Sequence, residues 1–333
     1  MRVAAIGVAH WHSLYDNAYL PQLLRMDDVR IVALHDEDES IAAHRVDELG
    51  GGIATYTDYM TMLEAERPDF VVGLGRHDQM AEIAHALLDR GIPFIMEKPM
   101  SRNARELKGV MEKVEATGGF AAVPLSWRRS PFIQHAKRLI AEGTYGPMCH
   151  FYARQNRPTS ARYARWQAGW MMDPQIASGG CLRNLGPHSL DAFVYLTGED
   201  VDIEVTGAQL SWSTHGEQVE DYASVLLRSS RGVIGTIEVG NGFPRDGTDG
   251  DWKVGFREAV LTLHDGEARL ETASGQSVLQ PPAGPPFDVL RETIDAARDG
   301  GAPPVSVRDC YLAVRLIDLA YIAAGNPYGT AAV

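Results

Sequence analysis

Over the first third of the chain, apolar residues fall in short, β-branched-rich runs: Val3–Ile6, Val29–Leu34, Phe70–Leu74, Phe94–Met96 and Ala121–Leu125. Stretches with helical spacing separate them, among them Asp78–Arg90, stopped by Gly91, and Ala104–Ala116, stopped by Gly118-Gly119. Uninterrupted apolar runs joined by helices predict parallel strands linked by crossovers, hence an α/β, doubly wound parallel sheet. From about residue 149 the rhythm changes to longer segments with polar alternation, as in Ile203–Ser213, Tyr222–Ser229, Gly232–Gly240 and Ala259–Leu263. These predict a second α/β domain with a large, mainly antiparallel open sheet. A helix over Leu182–Leu196 can cover one face of that sheet and leave the other for a subunit contact, which implies a homodimer or homotetramer. The run Pro281–Pro286 reads as a rigid connector before helices Phe287–Arg298 and Val307–Ala324. The expected boundaries are 1–123, 124–306 and a C-terminal helix within 307–333 that docks back on the first domain.

The length of 333 residues accommodates two domains, and 45% hydrophobic with 23% charged residues is an ordinary globular composition. The formal net charge of -13 disfavours a nucleic-acid partner, whose phosphates are bound through Lys and Arg. No run approaches the roughly 18 apolar residues of a membrane span. The N-terminal apolar run stops at His10-Trp11-His12, too early for a secretory signal, so a cytoplasmic protein without a membrane partner is expected. Three widely spaced cysteines, Cys149, Cys181 and Cys310, fit reduced thiols better than a disulfide framework.

Candidate chemistry begins where the first predicted strand turns. Val3-Ala4-Ala5-Ile6-Gly7 leads into positions where a Gly-x-Gly-x-x-Gly dinucleotide turn would stand, here Gly7, Ala9 and His12, so only the first glycine is kept. The turn residues Ile6, Gly7, Ala9, His10, Trp11 and His12 are the candidates for cofactor contact, against a plain strand-to-helix turn. Asp36, ending the second strand, can accept from an adenosine ribose, and its neighbours Glu37 and Asp38 would repel a ribose phosphate, which favours NAD over NADP. His10 and His12 could be a metal pair, but their spacing shows no accompanying carboxylate or cysteine set, so no metal is expected. Lys98, after Phe94-Ile95-Met96-Glu97, falls at the carboxyl end of a parallel strand, where ligands bind, and can polarise a hydroxyl. In the second domain Asn184 and His188 are four apart and share a face if helical, although Pro187 makes that helix irregular or delays its start. A histidine can accept a proton from an alcohol.

Together these residues resemble the Gfo/Idh/MocA family, the glucose-fructose oxidoreductase and inositol dehydrogenase group, over nearly the whole chain. Glu97-Lys98-Pro99 matches its Glu-Lys-Pro, and Gly179–Asp191 matches its Gly-Gly-x-Leu-x-Asp-x-Gly-x-His-x-x-Asp, with Asn184 where aspartate is usual. Val123–Arg129 and the following helix to Gly143 look like the family's domain-crossing segment. The resemblance implies a Rossmann domain, bound NAD(P), and hydride transfer at a sugar, polyol or related hydroxyl. It also implies that Lys98 polarises that hydroxyl, that His188 is the general acid/base, and that Asn184 hydrogen-bonds the substrate without carrying a proton. After the third strand the chain has Gly75-Arg76-His77 in place of the family's Thr-Pro-Asn, making these three expected cofactor neighbours. Glu97 and Lys98 join them, and Arg128, Tyr163, Trp166 and Trp170 are candidates for substrate contact, against an oligomer contact for the aromatic loop. Two other readings use the same residues: an NAD-retaining glycoside hydrolase or lyase working by transient oxidation, and a non-catalytic nucleotide-binding sensor.

Overall fold

The computed structural model describes residues 1–15, 18–198, 202–280, 288–326, 328 and 329; the expected connector Pro281–Pro286 and Phe287 lie outside them. The chain forms two compact units. Met1–Pro124, Ala161–Ser178 and Asp288–Arg308 make the first, and Leu125–Ser160, Gly179–Phe287 and Asp309–Val333 the second.

In the first unit six parallel strands, β1 (Arg2–Ile6), β2 (Arg30–His35), β3 (Ala54–Tyr56), β4 (Phe70–Gly73), β5 (Phe94–Met96) and β6 (Ala121–Ala122), lie in the order β3-β2-β1-β4-β5-β6. The apolar runs are buried almost throughout, because crossover helices cover both faces of a parallel sheet. Helix Ala104–Thr117 starts on Asn103, whose side chain accepts from the Glu106 amide, and stops at Gly118 with φ +66°. Val3, Leu34, Phe70 and Val72 share a core with Leu290 and Ile294, on the helix Val289–Arg298. The expected strand Ala121–Leu125 is cut to two residues. Beyond it the Val123 amide donates to the Val305 carbonyl instead of continuing the parallel ladder.

The second unit holds eight strands: β7 (Met148–Pro158), β8 (Glu204–Ser211), β9 (Tyr222–Arg228), β10 (Ile234–Phe243), β11 (Asp249–Phe256), β12 (Ala259–His264), β13 (Glu267–Thr272) and β14 (Gly275–Val278). Their order is β14-β13-β12-β11-β7-β10-β9-β8, antiparallel except for the β7–β10 pair. Inward residues such as Phe151, Val225, Ile237 and Val239 are buried under the helix Cys181–Thr197, whose Phe193 ring lies 5.8 Å from that of Phe151. On the opposite face Leu226 and Ile234 are exposed.

Two expectations change. The helix does not wait for Pro187 but runs through it from Cys181, since proline forfeits one amide donor without forbidding a helix whose flanks are packed. The final helix, Val307–Ala323, belongs from Asp309 onward to the second unit, and the C-terminal helix in the first unit's core is Val289–Arg298. Among the described residues no helix is long and apolar enough to cross a membrane.

Candidate active site

The first unit's strand order reverses direction between β1 and β4, and the carboxyl ends of β1, β4 and β5 bring Gly7, Gly75 and Glu97-Lys98 to one edge of the sheet. Gly7 has φ +76°, and a Cβ there would stand 2.7 Å from the Gly75 backbone. Only glycine lets these two turns run so close. Ile6 is fully buried beneath them. Asp36 is buried as well and holds the turn: its Oδ2 accepts from the Ala9 amide at 2.6 Å and its Oδ1 from the Asp38 amide at 3.2 Å. Burial pushes the Asp36 carboxyl upward against those two amide bonds. A cavity of about 160 Å³ opens here, lined in part by Gly7, His35, Glu37, Thr57, Tyr59 and Gln79. A glycine cradle, a buried carboxylate at the end of β2 and an adjoining cavity fit a dinucleotide.

Glu97 is 1% exposed, and its carboxylate is met on all sides. Oε1 accepts from His12 Nδ1 and from the Tyr19 hydroxyl, both at 2.8 Å, and Oε2 accepts from the Lys98 amide at 3.2 Å. Burial alone would raise this carboxyl, but His12, His10 and Lys98 together hold it well below the ordinary glutamate value. Lys98 is itself 4% exposed, and its peptide bond to Pro99 is cis. One ligand atom each from His10, His12 and Glu97 lies within 4.8 Å of the others, so the fold supplies the histidine pair with the carboxylate that the spacing lacks.

Trp11 stacks on His10 with centroids 3.9 Å apart and packs with Tyr163, Ala168 and Met171 in a buried cluster; Trp166 and Trp170 lie against it. His77 Nδ1 meets the Ala177 carbonyl at 2.8 Å, and its ring stands 5.1 Å from that of Trp170. The expected aromatic residues Trp11, Tyr163, Trp166 and Trp170 therefore come together within the first unit. Arg76 is engaged by Glu37 at 2.9 Å and Asp78 at 3.1 Å.

In the second unit Asn184 and His188 lie one turn apart on the helix Cys181–Thr197, Asn184 buried and His188 half-buried. Glu220 anchors the start of that helix. Its Oε2 accepts from the Gly180 amide at 2.8 Å, and its Oε1 from the Leu182 amide at 3.0 Å and the Tyr321 hydroxyl at 2.8 Å. Arg128 forks onto Asp191 of the same helix and reaches Asp309 at 3.1 Å. Arg128, expected as a substrate contact, is thus buried within an ion-pair network.

Residues 1–124 match the family described as "Oxidoreductase family, NAD-binding Rossmann fold", and residues 133–254 match the "GFO/IDH/MocA C-terminal domain". The chain belongs to the Gfo/Idh/MocA family. Among its members, the levoglucosan dehydrogenase of Pseudarthrobacter phenanthrenivorans is 26% identical over 47% of this chain and 45% of that protein, so the chain spans about half the length of that relative. The rhizopine catabolism protein MocA of Rhizobium meliloti is 25% identical over 88% of this chain and 86% of its own. The D-glucoside 3-dehydrogenase of Escherichia coli is 25% identical over 73% and 68%. A solved levoglucosan dehydrogenase in complex with NADH and levoglucosan shares the fold at TM-score 0.80 and 21% identity, covering 98% of this chain and 97% of that one. Glu220, which anchors the helix bearing the Gfo/Idh/MocA signature, went unnoticed in the sequence. It is distant from the motif it anchors, and only the preceding glycine pair, which admits its backbone closely, hints that something packs there.

Proposed function

We propose that the chain is an NAD-dependent oxidoreductase that transfers hydride between a carbon bearing a hydroxyl on a sugar, polyol or related compound and nicotinamide. The observation that carries this reading is the buried Glu97-Lys98 pair at the carboxyl end of β5, beside the glycine cradle of β1 and β4. Ile6, Gly7, Ala9, His12, Asp36 and Gly75 would hold the cofactor, with Trp11, His77 and Glu97 nearby. Bound NAD supplies the hydride acceptor. Lys98 donates to the hydroxyl oxygen and stabilises the charge that gathers there, while His188 takes the hydroxyl proton. The carbon loses its C–H electron pair as hydride and becomes a carbonyl. Asn184 orients the substrate by hydrogen bonds, and Tyr163, Trp166 and Trp170 offer aromatic faces to a sugar ring. The acidic Asp36, Glu37 and Asp38, with Arg76 already engaged by Glu37 and Asp78, favour NAD over NADP. Cytoplasmic residence and a homodimer or homotetramer through the exposed sheet face complete the reading.

Screening levoglucosan, methyl β-D-glucoside and myo-inositol for NAD⁺ reduction tests the function. With the substrate that turns over, His188→Asn is expected to lower kcat by about 10²–10⁴-fold. Lys98→Met is expected to lower it by about 10²–10³-fold, and NADH affinity should change little in either variant. Wild-type turnover by His188→Asn would remove the assigned proton acceptor.

A further inference from the structure

Among the buried side-chain polar atoms of the first unit that have no hydrogen-bond partner within the described residues, two lie in the aromatic cluster around Trp11 and face it as N–H donors. One is on His10, whose ring is 2% exposed. Its Nδ1 accepts from the His12 amide at 3.2 Å. An imidazole that accepts through one nitrogen carries its proton on the other. With Nδ1 acting as acceptor, that proton sits on Nε2, a buried atom without a partner. The second group is the Trp170 indole: its Nε1–H is buried without a partner and can only donate. The His10 and Trp170 ring centroids are 6.2 Å apart.

Buried donors in native proteins are ordinarily met, so a pair left unmet in one cluster calls for an acceptor that the protein itself does not supply. A metal ion does not fit, because both groups present hydrogen rather than a lone pair. Nor does an anion, since the Glu97 carboxylate, held ionised, acts on the His10 ring. A neutral oxygen suits the pair, and the stacked indole of Trp11 offers an apolar face for the C–H side of a ring.

We propose that His10 Nε2–H and Trp170 Nε1–H form a subsite that binds a hydroxyl oxygen of the sugar-like substrate. This rests on the reading of Trp170 as a substrate residue and extends it to His10, otherwise expected to serve only the cofactor.

The test uses ¹⁵N-labelled full-length protein loaded with NADH and titrated with methyl β-D-glucoside and with myo-inositol. The Trp170 indole signal is identified by its loss in Trp170→Phe. A saturable shift of that signal is expected with at least one of the two compounds. Calorimetry should show binding weakened about tenfold in both Trp170→Phe and His10→Phe, the effect of one lost hydrogen bond. The two variants keep an aromatic ring while removing the N–H donor, and an unchanged urea midpoint verifies that the fold survives. An indole signal unmoved by both compounds, or wild-type affinity in both variants, overturns the subsite. Turnover with an unmoved indole leaves the oxidoreductase reading standing and removes the subsite. A shifted indole with weakened variants but no hydride transfer keeps the subsite and removes that reading.

Discussion

Glu97 sits ionised in a buried place because three donors and the nearby His10, His12 and Lys98 outweigh its desolvation. The folded carboxyl titrates below its ordinary value near 4.5. The group therefore adds stability at pH above the unfolded value, and that stability fades as pH falls through the depressed folded value. Replacing His12 with leucine removes the Nδ1 hydrogen bond to Glu97, leaving burial to push the carboxyl upward. His12→Leu is expected to cost about 1–3 kcal/mol near neutral pH, as for a buried acceptor that loses its donor. Because the variant's Glu97 then favours protonation, the gap to wild type should narrow on acidification to about pH 5, read as urea midpoints at both pH values. A gap that does not narrow would mean the loss comes from packing alone. At this scale the sequence placed Glu97, Lys98 and Asp36 at strand ends but did not show their partnerships. Glu97 and Lys98 follow an apolar strand and declare their place, and Asp36 ends another. That Glu97 would complete a set with His10 and His12, or that Arg76 would be tied to Glu37 and Asp78, depends on chain segments tens of residues apart and leaves no local pattern.

The helix Cys181–Thr197 owes its position to what meets its first turn. A Cβ on Gly180 would stand 2.1 Å from the Glu220 carbonyl oxygen, a backbone atom that cannot swing aside. Gly180→Ala must therefore shift the helix that carries Asn184 and His188, or displace the Glu220 strand connection. The expected cost is about 2–4 kcal/mol in thermal or urea unfolding, with loss of turnover if the helix moves. Gly169→Ala is the control: its φ is ordinary and nothing lies within 4 Å, so it should change stability by less than about 0.5 kcal/mol. Equal effects in the two variants would show that the close approach to Glu220 does not set the helix. Elements with uniform burial were legible, which is why β1, β4 and β5 emerge from their apolar runs alone. The central strand β7 did not, because its second half, Arg154-Gln155-Asn156-Arg157, is polar and only half-buried while its neighbours β10 and β11 complete its ladder. The three-residue β3 is too short to hold a period. Pro187 reads locally as a helix boundary, yet packing on both sides of it carries the helix through.

Neither unit follows the chain continuously, and this has energetic consequences for the dinucleotide fold. The first unit needs Asp288–Arg308: Leu290 and Ile294 are fully buried among Val3, Leu34 and Phe70, and β6 is extended by a bridge between Ala122 and Ser306. A boundary drawn at residue 123 misses this, since composition and turn signals mark where a sheet ends but not which distant helix seals it. The ion pairs of Arg291 with Asp28, at 2.7 and 2.9 Å, are open to solvent and screened by it, so the apolar contacts carry that attachment. Leu290→Ala should thus destabilise by about 2–5 kcal/mol through the cavity it leaves. Hydrogen exchange followed by mass spectrometry locates the damage. Faster exchange is expected in β1, β2 and β4, where the Leu290 core lies, while β7, β10 and β11 of the second unit keep their protection. Because Gly7 and Asp36 stand at the ends of β1 and β2, NADH affinity should fall with the protection of those strands, although Leu290 lines no part of the cradle. Uniform acceleration in both units would instead mean that they unfold as one cooperative block, with the C-terminal segment binding the two together rather than sealing the first.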